Sequence, residues 1–180
     1  MPHNTAPHAS RCTQGVTGAT VGPGAAAIRL EVNGIVRALE VLPSETLAEV
    51  LRERLALTGT KIACDRGACS SCTVWVDGAP VCSCMVLAIE VDGHRVTSIE
   101  GLAGEALHPV QSAFIEHDAI QCGFCTPGLV MSCVALLESH PHPTEEEVKA
   151  AIGGHLCRCG TYPHVIAAVL DVARKGKRSP

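Results

Sequence analysis

Cysteine is the residue type in this sequence best suited to chemistry: eleven occur in 180 residues, and nine of them fall into two groups. The first reads CDRGACSSC and then VCSC, which places Cys64, Cys69, Cys72, Cys82 and Cys84 in one short stretch. The second reads Cys122-Gly-Phe-Cys125, then 31 residues, then Cys157-Arg-Cys159. Disulfide pairing would call for an oxidising compartment and an even count. The count is odd, and no basic region followed by an apolar stretch opens the chain, so a cytoplasmic, reducing setting is expected. Reduced thiols in such number point to metal binding or thiol chemistry, and their positions decide between the two.

The opening spacing of the first group, C-x4-C-x2-C, is the plant-type pattern for a [2Fe–2S] cluster. A two-iron cluster needs four converging thiolates. One loop can supply Cys64, Cys69 and Cys72, and the fourth must come from a neighbouring segment. Cys82 and Cys84 both lie within reach there, and spacing does not separate them. Small residues at Gly67, Ala68, Ser70 and Ser71 let backbone N–H groups approach the sulfurs. In the second group each cysteine pair lies just ahead of a predicted helix, whose free N–H groups and positive dipole end favour an anionic group. Two such pairs on antiparallel helices would hold four sulfurs around one cluster.

Other metal sites fit less well. The second group could hold structural zinc. A [4Fe–4S] site would show C-x2-C-x2-C, a Rieske centre needs two His ligands, and a thioredoxin-like motif needs a different strand–helix context. Cys133 reads as a buried, inert thiol in an apolar helix, and Cys12 has no assigned role. His3, His8, His140 and His142 sit in proline-interrupted stretches and read as solvated. His117, His155 and His164 read as surface or capping residues. No Ser-His-Asp order, phosphate-binding loop or GxGxxG fingerprint is present.

The elements that must position these thiols divide the chain. Ile28, Leu30 and Val32 alternate with polar residues, Asn33-Gly34 predicts a tight hairpin turn, and Ile35 to Val41 returns as a strand. Thr46 and Glu49 form a capping box ahead of a helix carrying Leu47, Val50, Leu51 and Leu55, stopped at Gly59. Thr73 to Val76 is a strand ending at the turn Asp77-Gly78. Beyond Glu105 the signals are helical: a segment opened by Pro109 and reaching about His117; another with Thr126 as N-cap and Pro127 at N1, running to about Glu138; one capped by Thr144 and Glu147 and ending at Gly153-Gly154; and a last one from about Tyr162. The expected organisation is α+β: a flexible leader over 1–27, a cluster domain over 28–103, a helical cluster domain over 104–175, and a tail over 176–180.

Hydrophobic residues make up 47 % and aromatics only 2 %, so the core must be built from Ala, Val, Leu and Ile. A net charge of −4 with mixed signs leaves no electrostatic footprint for nucleic acid. The longest nearly apolar run, Leu129 to Leu137, is far below the ~20 residues of a spanning helix.

Taken in order, CDRGACSSCTVWVDGAPVCSC, QCGFCTPG and GHLCRCGTY make the chain resemble the small iron–sulfur subunit of the xanthine oxidase family of molybdenum hydroxylases. The likeness runs from about Ile28 to Leu170. It implies a ferredoxin-like β-grasp domain followed by a four-helix bundle. It implies two [2Fe–2S] clusters, the first on Cys64, Cys69, Cys72 and Cys84, the second on Cys122, Cys125, Cys157 and Cys159. It also implies that Gln121 contacts the pterin of a molybdenum cofactor held by a large partner subunit; a side-chain amide can donate and accept toward such a heterocycle. The sequence departs from the family pattern at Ser70, where Gly is usual, and at His155, where Asn is usual; neither is a ligand position.

The resemblance makes the chain the iron–sulfur subunit of an oxidoreductase complex, with no substrate chemistry of its own. Electrons would leave the molybdopterin centre one at a time, pass the second cluster and then the first, and reach an FAD-binding subunit or a cytochrome. The implied substrate is an aldehyde or N-heterocycle, the branch suggested by GHLCRCGTY. The rival expectation is a free-standing two-cluster carrier, which would be strongly acidic for steering; −4 and an apolar helical half speak for a permanent complex.

Overall fold

The computed structural model describes residues 22–176; most of the leader, with Cys12, His3 and His8, and the tail beyond 176 lie outside the described residues. β1 (Ala26–Val32) and β2 (Ile35–Val41) form the hairpin expected at Asn33-Gly34, with Val32 opposite Ile35. Both turn residues have positive φ, 51° and 78°, as a two-residue primed turn demands. The Asn33 side chain then reaches across the sheet: its Oδ1 accepts from Ser98 N–H and its Nδ2 donates to Ser98 Oγ, both at 2.9 Å. β3 (Thr73–Val76) and β4 (Ala79–Cys82) turn at Asp77-Gly78, and β5 (Arg95–Thr97) completes a sheet of order β2-β1-β5-β3-β4. β5 runs parallel to β1 and antiparallel to β3, so the sheet is mixed. Leu30, Val32, Val41, Val74 and Val96 line its buried face.

Against that face packs α1, a single α-turn (Leu47–Glu49) that widens into a π-helical turn (Val50–Arg54). Its capping box is complete: Thr46 Oγ1 accepts from Glu49 N–H at 3.2 Å, and the Glu49 carboxylate accepts from Thr46 N–H at 2.7 Å. The helix was expected to stop at Gly59 but ends earlier, at Ala56 in the left-handed region (φ 56°). Gly59 serves a close approach instead. A side chain there would collide with Ile99 and Glu100, and its N–H donates to Glu100 Oε1 at 2.7 Å.

Four helices follow: α2 (Pro109–Glu116), α3 (Thr126–Ser139), α4 (Glu145–Ile152) and α5 (Tyr162–Gly176). α2 packs on α5, α3 on α4, and α4 on α5, around Val110, Phe114, Leu129, Met131, Val148, Val165 and Val169. α3 starts one residue earlier than expected. Cys125 is its N-cap, without a side-chain cap bond, and Thr126 and Pro127 are the first two helical residues. The cap position goes to a thiol that points elsewhere, so the Thr126 hydroxyl has no capping task.

The two halves share a core. Trp75 of β3 is buried among the helical residues, and its indole N–H donates to the Met131 carbonyl at 3.1 Å. Beside it, Gly128 of α3 lies flat on the backbone of Ser70 and Ser71, where a Cβ would collide with the Ser70 carbonyl. Alanine is normally preferred over glycine inside a helix by ~1 kcal/mol, but here it must displace backbone. Gly128→Ala is therefore expected to destabilise, by about 1–3 kcal/mol as for an overpacked core. Chemical denaturation followed by the fluorescence of Trp75, the chain's one tryptophan, measures it.

Candidate metal centres

The loop between α1 and β3 carries Cys64, Cys69 and Cys72. It coils tightly, with Asp65, Gly67 and Ser70 all at positive φ, and so turns a run of N–H groups inward. Ala68 N–H donates to Cys64 Sγ at 3.2 Å, and Gly67 N–H donates to Cys84 Sγ at 3.4 Å. Such a nest favours sulfur in its anionic form. Backbone N–H groups, that of Arg66 foremost, and the Cys69 thiol hold Cys64 down at about 7. Burial pushes Cys84 up to about 11, with the Cys72 thiol against it. Cys84 sits on a turn (Ser83–Met85) after β4, tied to the loop by Ser83, whose N–H and hydroxyl both donate to the Cys72 carbonyl, at 3.3 and 2.6 Å. The Cys84 thiol is buried beside that of Cys72, while half-buried Cys82 packs against the same buried group with its Sγ 3.9 Å from Ser70 Oγ.

The second group forms where the loop ahead of α3 meets the loop ahead of α5. Phe124 N–H and the Cys159 thiol lower the pKa of Cys122. Burial pushes Cys125 up to about 12, with Cys157 beside it. Burial also works to raise Cys157, yet the hydroxyl and N–H of Thr161 hold it at about 7. Cys159 receives the Cys122 N–H, but the Cys122 thiol and burial leave it raised. Thiol meets thiol in pairs: Cys64 with Cys69, Cys72 with Cys84, Cys122 with Cys159, Cys125 with Cys157. Among the described residues, no three His, Cys, Asp or Glu side chains close on one ion-sized point.

Gln121 is exposed, next to exposed Cys122 and outside any helix. Cys133 is fully buried, and burial pushes its thiol up to about 12. The surface reading of His155 is corrected: it is 5 % exposed, its Nε2 lies 3.1 Å from Ser132 Oγ, and its Nδ1 has no partner. It is carried into the seam between the halves because the loop ahead of α5 folds onto the first cysteine loop. His117 caps the end of α2, and His164 Nδ1 meets its carbonyl at 2.9 Å. Sequence reasoning missed Ser83, Thr161 and Tyr162; the available signal was polar residues within five positions of a grouped cysteine.

Comparison with known proteins agrees with this arrangement. Residues 98–170 match the [2Fe-2S] binding domain family. The nicotine 6-hydroxylase small subunit of Paenarthrobacter nicotinovorans is 49 % identical over 144 residues, covering 80 % of this chain and 87 % of the relative. Quinoline 2-oxidoreductase from Pseudomonas putida 86 superposes with a TM-score of 0.82 at 42 % identity, over 86 % of this chain and 98 % of that one. The aldehyde oxidoreductase of Desulfovibrio desulfuricans ATCC 27774 gives 0.79 at 39 % identity, over 84 % of this chain but only 17 % of a much longer one. Fold and matched domain together define an iron–sulfur subunit of an oxidoreductase complex. The chain belongs to the small iron–sulfur subunits of the xanthine oxidase family of molybdenum hydroxylases.

The choice of fourth ligand gives a direct expectation. Cys84→Ser is expected to lower the iron content, while Cys82→Ser is expected to keep it, with an unchanged visible spectrum; iron and labile-sulfide analysis of the purified variants reads both.

Proposed function

We propose that this chain is the electron-transfer subunit of a molybdenum hydroxylase. Cys64, Cys69, Cys72 and Cys84 hold one [2Fe–2S] cluster, and Cys122, Cys125, Cys157 and Cys159 hold a second. The observation that supports this reading is that two cysteine loops, each with thiols that perturb one another, meet through a backbone hydrogen bond: Leu156 N–H to the Cys69 carbonyl, 3.2 Å. That bond links the residue before Cys157 to a cysteine of the other quartet. Bound clusters supply one-electron exchange, which a two-electron oxidation needs when its acceptor is distant. The residues around them dictate order and insulation.

The second quartet faces the large molybdopterin-binding partner. Gln121 and Cys122 are exposed, and Ile120, Phe124 and Leu156, 42, 45 and 61 % exposed, surround them. Apolar side chains in such number beside a redox site belong in an interface. Gln121 then reaches the pterin with its amide. The first quartet, with half-buried Cys64 and the exposed Met85 after Cys84, faces the flavin subunit or cytochrome. The helices α2–α5 act as a four-helix bundle presenting the second quartet at one end, beside a β-grasp unit that presents the first. The same apolar surround speaks against a free-standing carrier, as does the occurrence of this unit within a longer chain in the Desulfovibrio enzyme. By similarity to enzymes named for nicotine, quinoline and aldehyde, the substrate of the complex is an N-heterocycle or an aldehyde. No described helix is long and apolar enough to cross a membrane.

Electron paramagnetic resonance of the dithionite-reduced protein is expected to show two distinct [2Fe–2S] signals; one signal, or zinc in place of iron, would overturn the proposal. In the assembled complex, Phe124→Ala is expected to cost about 2 kcal/mol of association, roughly 30-fold in Kd, measured by titration of the large subunit.

A further inference from the structure

We infer that Thr161 and Tyr162 are positioning residues of the second cluster, acting on it through Cys157; this rests on Cys157 being a ligand. Thr161 is 8 % exposed, and its Oγ1 lies 3.4 Å from Cys157 Sγ. An iron-bound thiolate carries no proton, so in the loaded protein the hydroxyl is the donor of that bond. A hydrogen bond donated to ligand sulfur favours the state with more negative charge on it, which is the reduced cluster. Among the described residues, Cys157 is the one member of either quartet whose sulfur meets a side-chain hydroxyl; Cys64 and Cys84 meet backbone N–H groups.

Tyr162, the chain's one tyrosine, works on the same residue from the other side. Its hydroxyl accepts from Cys157 N–H at 2.7 Å and donates to the His155 carbonyl at 2.8 Å. Both capacities of the phenol are used within one turn of chain. The ring thereby fixes the segment from His155 to Cys157, whose middle residue sends its N–H to Cys69 in the other quartet. Thr161 and Tyr162 sit at the start of α5, a fifteen-residue helix anchored in the core by Val165, Ala168 and Val169. Cys157 is held to a rigid element at its sulfur and at its N–H.

The test is a redox titration of the complex, purified with its partner subunits and followed by electron paramagnetic resonance. Thr161→Val is expected to lower the midpoint potential of one cluster signal and leave the other unmoved. Thr161→Ser, which keeps the hydroxyl, is expected to restore it. Tyr162→Phe is expected to change the g-values of that same signal. Where valine lowers iron content, Thr161→Ala removes the hydroxyl without added bulk and is read in the same way. Unmoved potentials at full iron content, an equal shift of both clusters, or failure of serine to restore the value would each overturn the inference. Two signals in the unsubstituted complex with unmoved potentials in the variants count against this inference alone. Absence of two signals in the unsubstituted complex counts against the cluster reading beneath it.

Discussion

Everything in this molecule depends on how closely two backbones approach at the seam between its halves. Gly128 of α3 rests on the Ser70–Ser71 peptide, and Leu156 N–H bonds the Cys69 carbonyl. Side-chain contacts at such a seam would leave some latitude, since side chains change rotamer. Backbone on backbone leaves little, and the indole of Trp75, bonded to the Met131 carbonyl, closes what remains. One loop of each quartet is thereby set at fixed separation from the other. A relay that passes electrons between fixed sites needs that constancy more than it needs any particular side chain.

Holding sulfur anions together is electrostatically unfavourable, and burial makes it worse. The protein meets this with backbone dipoles rather than cations. Gly67 and Ala68 supply N–H donors to the first quartet, Phe124 and Thr161 to the second. Each quartet contains one thiol held at about 7, Cys64 or Cys157, and one pushed well up by burial, Cys84 or Cys125.

Much of this was legible in the residues. Asn33-Gly34 and Asp77-Gly78 named their turns, Thr46 and Thr144 their capping boxes, and the cysteine spacings their two groups, because each depends on interactions within a few positions. What failed to show was long-range. β5 pairs parallel to β1 across more than sixty positions, and no local pattern announces it. Gly59 looked like a helix stop and is a contact with Ile99 and Glu100. His155 reads as a surface or capping residue, and only the docking of its loop onto the first cysteine loop buries it. Cys82 and Cys84 flank Ser83, whose hydroxyl donates to the Cys72 carbonyl, and the sequence did not announce that Cys84 is buried and Cys82 only half-buried.

The two departures from the family pattern acquire a common meaning from where they lie. Ser70 and His155, distant in sequence, line the same cavity of about 210 Å³ at the seam, together with Cys82, Thr73 and Ser132. Ser70 takes a left-handed conformation that costs a non-glycine residue strain (φ 55°), so its side chain must return something there. It returns a hydroxyl within reach of Cys82, while His155 offers Ser132 an imidazole that burial keeps neutral. Neither residue touches a ligand sulfur. Both place polar groups in this cavity of the seam, which none of the eight quartet cysteines lines.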